Sequence, residues 1–479
     1  MIPQKQDYLF EMIRSELTWA VGEQNVSTDD SDKLGHSIDY YWVPELWHDR
    51  GRQPRCPDVI VTPETTEAVA KVLKIANTYK IPVTPWGGGS GSQGGALPVY
   101  GGISLDTKKL NRIIEVDTQS LTITAEAGCN MQQLEWTTEK AGFSTMHLPA
   151  SIGCATLGGF LAHRGTGVLS TKYGKIEDMV MSVEVVTPGG EIINTLPVPR
   201  HASGPDLTQL FLGSEGTLGV MTRATLKIHP IPESRKFHAF LFKDMHAAMM
   251  AGAEIMTSRL RPCVIRLYDN PETAKVIKKV LGIDREGSYL VFGFDGPEDM
   301  VDLEMAKACA ICRKQNPEDL GTEAGENWWE NRYKFFYPPY MFQMPQAFGT
   351  LDTVATFANI EKVYWAMKNV VKDHFPQATY IGHFSHWYEW GCMLYGRFIL
   401  EKPPQDPNEA VALYNKIWDM CIRAAIANGG VINEHHGVGL KLGRMMPDLY
   451  GPAFDVLKRI KTALDPLGIM NPAKMGFGI

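Results

Sequence analysis

The sequence predicts an α+β fold in two parts, and three observations point to it. Strand and helix patterns alternate from Pro57 onward, a glycine-rich loop follows the second strand, and a new series of strands and helices begins after Pro232. A chain of 479 residues is long enough for more than one domain. We therefore expect a first domain that binds a ligand at the glycine-rich loop, followed by a second α+β domain.

Residues 1–56 form an N-terminal arm before these patterns begin. Residues 8–20 predict a helix, and the loop-like stretch after it contains the aromatic segment 40–47. We expect this segment to pack on the body of the protein rather than to form a site.

The first domain begins with a strand, a helix and a strand. Residues 58–63 predict the first strand, which ends at a proline. Apolar residues at helical spacing predict a helix over 64–79, with Thr62 or Thr65 available as its N-cap. Residues 81–84 predict the next strand, 102–106 and 121–128 predict further strands, and 131–141 predict a helix.

The glycine-rich loop, residues 85–95, reads Pro-Trp-Gly-Gly-Gly-Ser-Gly-Ser-Gln-Gly-Gly. Each glycine costs backbone entropy on folding, so this density is not typical of a core element. A tight turn of this kind exposes backbone N–H groups that can hold a phosphate or diphosphate at the C-terminal end of a strand. The alternative is a flexible linker, although linkers are commonly longer and more polar. The loop is neither a Walker loop nor a clean Rossmann fingerprint.

Two later stretches are also rich in small residues. Residues 149–167 allow close approach of the backbone to a flat ligand, or close packing of a helix on a sheet. Residues 213–222 lie between a predicted helix at 206–211 and a predicted strand at 224–228. Three such loops in an α/β setting indicate a large cofactor that is held at several points.

The composition excludes several functional classes. A formal net charge of −7 argues against general nucleic-acid binding. The one C-x-x-C pair, Cys309 and Cys312, lies in a predicted helix without a second pair, so neither a zinc site nor a disulfide framework is expected. The sequence shows no signal-peptide pattern and no membrane-spanning apolar run. We expect a soluble cytoplasmic protein.

The second half predicts strands at 236–242, 264–267 and 288–293, and helices at 245–260, 300–315 and 410–427. Such a domain suits a cap over a bound cofactor. Aromatic residues are concentrated over 328–340. This segment fits either the lining of a pocket for a bulky substrate or a packed interface, and both interpretations stay open.

Three polar residues of the second half are candidates for chemistry. Arg266 alternates with apolar neighbours on a predicted strand, so its guanidinium needs an anion, either from a substrate or from a carboxylate such as Asp269. His435 and His436 lie in a glycine-rich turn after the helix at 410–427. An imidazole titrates near neutral pH and can remove a hydroxyl proton, although a structural role is the alternative.

The motifs of residues 58–232 resemble those of the vanillyl-alcohol oxidase / p-cresol methylhydroxylase superfamily. The resemblance rests on the PxGGGSG-like loop, the sequence TLGG at 156–159, Tyr173-Gly174 and the block GSEGTLGV at 213–220. It implies a two-subdomain PCMH-type FAD-binding domain over 57–232 and an α+β cap (substrate) domain over 233–440. Residues 441–479 would return to the FAD domain.

The resemblance also implies how FAD is bound. The glycine-rich loop would hold the diphosphate, the second stretch would lie near the flavin ring and pyrophosphate, and the third would contact the adenosine side and the isoalloxazine neighbourhood. Some members attach FAD covalently through a histidine near the first loop, which has none here, so we expect non-covalent FAD. The implied cofactor-binding residues are Pro85, Gly87, Gly88, Gly89, Ser90, Gly91, Ser92, Pro149, Thr156, Gly159, His163, Glu215, Gly216 and Val220.

Within the superfamily the chain looks most similar to bacterial relatives of alkyldihydroxyacetonephosphate synthase, through residues 201–206, 264–270, 386–395 and 428–439. Residues 464–472 also resemble FAD-linked D-lactate and D-2-hydroxyglutarate dehydrogenases. This resemblance implies that Arg266 holds a carboxylate or phosphate of the substrate, that Tyr395 is the catalytic tyrosine and that His436 is the active-site histidine, assisted by His435. Core packing is the alternative for Tyr395.

The dehydrogenases carry a metal-binding GHxGDGNxH motif that this chain keeps only in part. Gly382-His383 is present, but Phe-Ser-His386 follows, and Glu434 is one residue out of register. We therefore expect no metal.

These observations predict an FAD-dependent oxidoreductase, an oxidase or dehydrogenase acting on a CH–OH group. Its substrate would be an anionic, hydroxyl-bearing small molecule, either 2-hydroxy acid-like or aryl-substituted. His436 would take the hydroxyl proton while hydride goes to flavin N5.

The first alternative is a synthase-like alkyl transferase without net redox change, although the long N-terminal extension and peroxisomal signal of the synthase are not seen here. The second is a flavoprotein subunit that passes electrons within a complex. We also expect an electron acceptor of unknown identity and a homodimer.

Overall fold

The computed structural model describes residues 3–335 and 344–478, and of residues 3–7 the backbone alone. Three main sheets organise this part of the chain. Within it, no helix combines the length and the apolar character that crossing a membrane requires.

The first sheet carries the glycine-rich loop. Its four strands follow the order Val26–Ser27, Val59–Val61, Ile103–Asp106 and Val83–Trp86. The last three run parallel, as the strand–helix–strand pattern predicts. Helix Thr66–Tyr79 buries its apolar stripe, and the Thr65 hydroxyl caps it by accepting a hydrogen bond from the Ala68 N–H at 3.1 Å.

The second sheet is antiparallel and holds the third small-residue stretch. Its five strands follow the order Ile113–Asp117, Thr122–Glu126, Val220–Lys227, Val180–Val186 and Ile192–Asn194. The strand predicted at 224–228 begins earlier, at Val220, so residues 213–219 form the turn that enters the middle of this sheet.

The third sheet is antiparallel and forms most of the second half. Its seven strands follow the order Glu318–Leu320, Ser234–Phe242, Ser288–Gly296, Val264–Tyr268, Thr379–Trp387, Gly391–Leu400 and Ala347–Thr356. Helices Met245–Thr257, Glu298–Arg313, Phe357–His374 and Pro407–Ala427 cover it. The last three strands of that order were not predicted. They are buried along nearly their whole length and therefore lack the alternation that marks a half-exposed strand.

The N-terminal arm packs on the body of the protein as predicted. Pro3–Val21 is a helix, but the segment expected to be loop-like contains two further helices, Asp30–Gly35 and Trp42–Asp49. Trp42 is buried and stacks on Tyr414 with ring centroids 4.8 Å apart. Burial of that apolar face explains why this short segment is helical.

The shorter elements connect the sheets. Strands Phe143–Ser144 and His229–Pro230 form a two-stranded sheet. The other α-helices are Met131–Lys140, Leu157–His163, Ser170–Tyr173, Ile176–Met179, Leu207–Phe211, Asn270–Glu272, Lys278–Leu281, Gly321–Glu330, Gly439–Leu442, Met446–Tyr450 and Ala453–Leu464.

The aromatic segment 328–340 lies only partly within the described residues. Trp328, on helix Gly321–Glu330, is buried in the core and donates its indole N–H to the Tyr268 hydroxyl at 2.9 Å. The rest of that prediction, residues 336–340, lies outside the described part of the chain.

The C-terminal residues contact the first sheet. The Val83 N–H donates to the Ile469 carbonyl, and the Asn471 N–H donates to the Val83 carbonyl, both at 2.8 Å. The Asn471 side chain donates to the carbonyls of Gly95, at 2.8 Å, and Glu215, at 2.7 Å. These bonds bring the end of the chain against two of the three small-residue loops.

Candidate active site

Two cavities of about 930 and 1340 Å³ adjoin at the glycine-rich loop. Gly88, Gly89, Ser90 and His436 line both of them. We call the smaller one the cofactor cavity, because most of the predicted cofactor-binding residues line it, and the larger one the substrate cavity.

The structure brings every residue of the predicted site to one of these cavities. Ser92, Pro149, Arg266, Tyr395 and His435 line the substrate cavity. The predicted residues that line the cofactor cavity are Pro85, Gly87, Gly88, Gly89, Ser90, Gly91, Thr156, Gly159, His163, Glu215, Gly216, Val220 and His436.

The glycine-rich loop lies directly against the second small-residue stretch. A Cβ atom at Gly87 would lie 2.4 Å from Thr156 Oγ1, and one at Gly88 would lie 2.1 Å from the Cys154 carbonyl oxygen. At Gly91, by contrast, a Cβ would meet no atom within 4 Å. The loop therefore needs glycine both to pack against residues 154–156 and to leave an open backbone cradle. Such a cradle fits the diphosphate of FAD.

Two side chains connect the cofactor cavity to the turn that carries His435 and His436. His163 donates from Nδ1 to the His435 carbonyl at 2.9 Å, and burial lowers the pKa of His163 to about 4. The Glu215 carboxylate accepts the backbone N–H groups of Val438, at 2.5 Å, and Gly439, at 2.7 Å. Burial raises the pKa of Glu215 to about 7. This bridging role of Glu215 was not predicted.

His436 is oriented by Asp352, a residue that sequence reasoning missed. The His436 Nδ1–H donates to Asp352 Oδ1 at 2.8 Å. Asp352 is fully buried and also accepts the backbone N–H groups of Glu434 and His435 at 3.1 and 3.2 Å. Burial alone would raise the pKa of Asp352, but these contacts and His436 hold it well below its usual range. Burial lowers the pKa of His436, so its Nε2 is unprotonated and can accept a proton at neutral pH.

Tyr395 lies next to this acceptor. Its hydroxyl is 3.5 Å from His436 Nε2, and its backbone pairs directly with Asp352 across two strands. Burial raises the pKa of Tyr395, so the phenol stays protonated. Because its side chain lines the substrate cavity, core packing does not describe its environment.

Arg266 enters the substrate cavity without a counter-ion. Arg266 is 7% exposed, and its Nε has no hydrogen-bond partner. Its guanidinium lies 5.6 Å from the centre of the Trp328 ring. The alternative of an ion pair with Asp269 is wrong, because Asp269 accepts from the Tyr364 hydroxyl at 2.7 Å and lies 3.8 Å from Lys368 Nζ. No other carboxylate within the described residues pairs with Arg266. A buried guanidinium of this kind calls for an anion from outside the chain.

The histidines considered for a metal separate into two groups. His383 contacts Glu272 at 3.0 Å in a buried network with Arg397. His386, Glu434 and His435 have ligand atoms within 4.8 Å of one another, as do Asp352, His435 and His436. Glu434, however, already lies 3.3 Å from Lys175 Nζ and accepts from the Tyr388 hydroxyl at 2.7 Å. The expectation of no metal stays a prediction.

Tyr40, in the aromatic segment that was expected to pack, lines the substrate cavity, and Asp39, just before that segment, lines the cofactor cavity. Asp39 is buried with one carboxylate oxygen unpartnered, and burial raises its pKa to about 7. No sequence signal distinguishes Asp39 from the packed arm. Asp352 did leave a signal, a lone acid in the apolar strand pattern of 347–355.

Two family models match the chain. The FAD binding domain model matches residues 57–196, and the model of the FAD linked oxidases, C-terminal domain, matches residues 231–475. Alkyldihydroxyacetonephosphate synthase of Dictyostelium discoideum is 30% identical over 458 residues, which cover 89% of this chain and 74% of that protein. The uncharacterised FAD-linked oxidoreductase YgcU of Escherichia coli K12 is 30% identical over 478 residues, with coverage of 96% and 97%.

Solved structures have the same fold. An alkyldihydroxyacetonephosphate synthase superposes with a TM-score of 0.81 at 27% identity, over 96% of this chain and 85% of that one. p-Cresol methylhydroxylase with substrate bound superposes with a TM-score of 0.79 at 19% identity, over 98% and 97% of the two chains. These likenesses confirm the predicted α+β, PCMH-type architecture.

The family models therefore agree with the cradle formed by the glycine-rich loop and residues 154–159. The match to the FAD binding domain model shows that FAD is the cofactor. The chain belongs to the family of FAD-linked oxidases.

Proposed function

We propose that this protein is an FAD-dependent oxidoreductase that oxidises the CH–OH group of a small anionic substrate. The observation that carries the proposal is the Asp352–His436 pair, because Asp352 orients His436 and His436 lines both cavities. A hydroxyl between the cavities would have a general base on one side and the cofactor on the other.

The residues of the chain then have separate tasks. Arg266 binds the carboxylate or phosphate of the substrate and so orients it. His436 Nε2 accepts the hydroxyl proton, and the Asp352 carboxylate stabilises the imidazolium that forms. The Tyr395 hydroxyl lies close enough to hydrogen-bond the same oxygen. FAD supplies the hydride-accepting chemistry when it is bound.

An anaerobic absorbance titration of the FAD-loaded protein tests this function. We expect one member of a panel of 2-hydroxy acids and aryl-substituted alcohols to bleach the flavin band near about 450 nm. A His436→Asn variant should bind FAD and bleach far more slowly. A flavin that no alcohol bleaches would count against the proposal.

A second candidate function is alkyl transfer without net redox change, which the resemblance to alkyldihydroxyacetonephosphate synthase implies. It is favoured by the 30% identity to that synthase, and by the arginine, tyrosine and paired histidines that match its motif. The same titration separates the two candidates, because a non-redox transferase would not pass electrons from an alcohol to an added acceptor.

We predict a homodimer and a cytoplasmic location, and we assign no electron acceptor. Light scattering checks the first, since a dimer would have twice the chain mass of 53.3 kDa.

A further inference from the structure

Several residues outside the glycine-rich loop give the substrate cavity a lining rich in hydroxyl groups, which we call the hydroxyl wall. Thr166, Thr350, Ser385, Tyr40 and Tyr395 form it. The described strands place three of them, because Thr350, Ser385 and Tyr395 lie on neighbouring strands of the third sheet. Hydroxyl groups both donate and accept hydrogen bonds, so this wall suits a ligand that does the same.

The side chains that line the cavity are positively charged or neutral. Arg266 has no counter-ion, whereas the buried His386, which also lines the cavity, has its Nδ1 3.6 Å from a Glu434 carboxylate oxygen. No aspartate or glutamate is among the described residues that line the cavity, because Glu434 and Asp352 point into their own hydrogen-bond networks. We therefore expect the anionic group of a ligand to bind at Arg266.

Large aliphatic side chains are missing from the described lining. Val168 is the largest, and no leucine, isoleucine, methionine, phenylalanine or tryptophan takes part. Pockets for alkyl chains and aryl groups are lined mostly by such residues. An apolar chain bound here would leave buried hydroxyl and imidazole groups without partners, at a cost in binding free energy.

We propose that the substrate is a short polyhydroxylated acid, a 2-hydroxy acid that carries further hydroxyl groups, as the sugar acids do. The inference rests on the proposed function and narrows it. Arg266 holds the carboxylate, His436 faces the hydroxyl to be oxidised, and the wall of Thr166, Thr350 and Ser385 binds the remaining hydroxyls.

Six-carbon acids that differ mainly in hydroxylation provide the test, with mandelate added as an aryl-substituted 2-hydroxy acid. The FAD-loaded protein is titrated anaerobically with D- and L-aldonates, with 2-hydroxyhexanoate and with mandelate. We expect the best aldonate to exceed 2-hydroxyhexanoate in flavin reduction by at least about a hundredfold in kcat/KM, since sites built to bind hydroxyls reject analogues that lack them.

The outcomes separate the two proposals. If 2-hydroxyhexanoate or mandelate reduces the flavin as well as the best aldonate, the substrate class is wrong and the oxidoreductase function stands. If no acid reduces the flavin, the oxidoreductase function is wrong. Calorimetric binding of the same acids to the FAD-loaded protein then decides the substrate class, and equal or weaker binding of the aldonates overturns it.

Two variants test the wall itself. Thr166→Val and Ser385→Ala each remove one hydroxyl, and each should lower the preference for the aldonate over 2-hydroxyhexanoate by about tenfold, the effect of one lost hydrogen bond. Thr225→Val is the matched control, because its hydroxyl contacts Thr124 in the second sheet, outside both cavities. An unchanged preference in both wall variants would contradict the proposed role of the hydroxyls.

Discussion

Asp352 and His436 form the contact on which the proposed chemistry depends. The Asp352→Asn substitution keeps the shape of the side chain but removes the carboxylate that holds the Nδ1–H tautomer and stabilises the imidazolium. We expect kcat to fall by about 10²- to 10⁴-fold, the usual contribution of a positioned general base, with little change in KM. Rapid-mixing measurement of flavin reduction checks this.

Asp302→Asn is the control for that variant, because Asp302 pairs with Lys236 on the exposed surface. A similar kcat for Asp352→Asn and the unmodified protein would remove His436 from the role of base.

The pH dependence follows from the pKa of His436. Burial lowers that pKa, and His436 must be neutral to accept a proton. We therefore expect kcat/KM to be constant at neutral pH and to fall only as the pH drops below about 6.5, the ordinary value for imidazole. The Asp352 carboxylate acts to raise the pKa of His436, so the Asp352→Asn variant should lose activity at a still lower pH. A shift to higher pH would contradict this electrostatic assignment.

Arg266 is a buried cation with no carboxylate partner among the described residues. Its replacement by methionine removes a charge-assisted hydrogen bond to the substrate, so KM should rise by about 10- to 150-fold. The free energy of unfolding should stay the same or increase, because the buried guanidinium has no ion pair to lose. Steady-state kinetics and denaturant unfolding measure the two effects.

Arg313→Met, at an exposed ion pair with Asp319, provides the comparison and should leave KM unchanged. A marked loss of stability in Arg266→Met would instead indicate a structural role for the arginine.

Residues 435–439 form a turn whose backbone N–H groups are bound by carboxylates from distant parts of the chain. Glu215 accepts two backbone N–H groups of this turn, and Asp352 accepts a third at His435. Glu215→Gln replaces one acceptor oxygen by an N–H₂ group that cannot pair with an N–H. We expect faster hydrogen exchange at Val438 and Gly439, and a fall in kcat of about tenfold for the loss of one hydrogen bond.

Glu361→Gln is a suitable control, since Glu361 pairs with His246 at the surface and lines neither cavity. Unchanged exchange at the turn in Glu215→Gln would show that the turn does not depend on this carboxylate.

The C-terminal residue Asn471 holds two loops that line the cofactor cavity. Asn471 joins the end of the glycine-rich loop to the Glu215 loop, and it adopts a positive φ of 39° that asparagine tolerates better than alanine. Asn471→Ala should therefore lower the free energy of unfolding by about 1–3 kcal/mol, because two buried carbonyls lose their donor. FAD affinity should fall as well, since both loops line the cofactor cavity.

Thermal unfolding and FAD titration measure these effects, with Asn408→Ala on an exposed helix start as the control. A loss of stability with unchanged FAD affinity would limit the C-terminal segment to a structural role.

Local patterns in the sequence were enough for much of the first domain. Helical spacing and the Thr65 cap predict helix Thr66–Tyr79, and the density of glycine marks the loop at residues 85–95. These features are encoded within a few residues of one another, so backbone geometry and side-chain spacing determine them. Arg266 and His436 were likewise recognisable as residue types in an unusual setting.

The contacts that bring the candidate residues together into one site form only in the folded chain. Asp352 and His436 lie 84 positions apart, and Glu215 and Val438 lie 223 apart. Their contact follows from the register of buried strands and from turns held by distant carboxylates. A local pattern can mark Asp352 as unusual, but it does not show which residue it will contact. The sequence alone therefore determined the fold class, the cofactor loop and the candidate residues. The base–carboxylate pair, the unpartnered arginine and the hydroxyl wall arise only when the third sheet brings distant strands together.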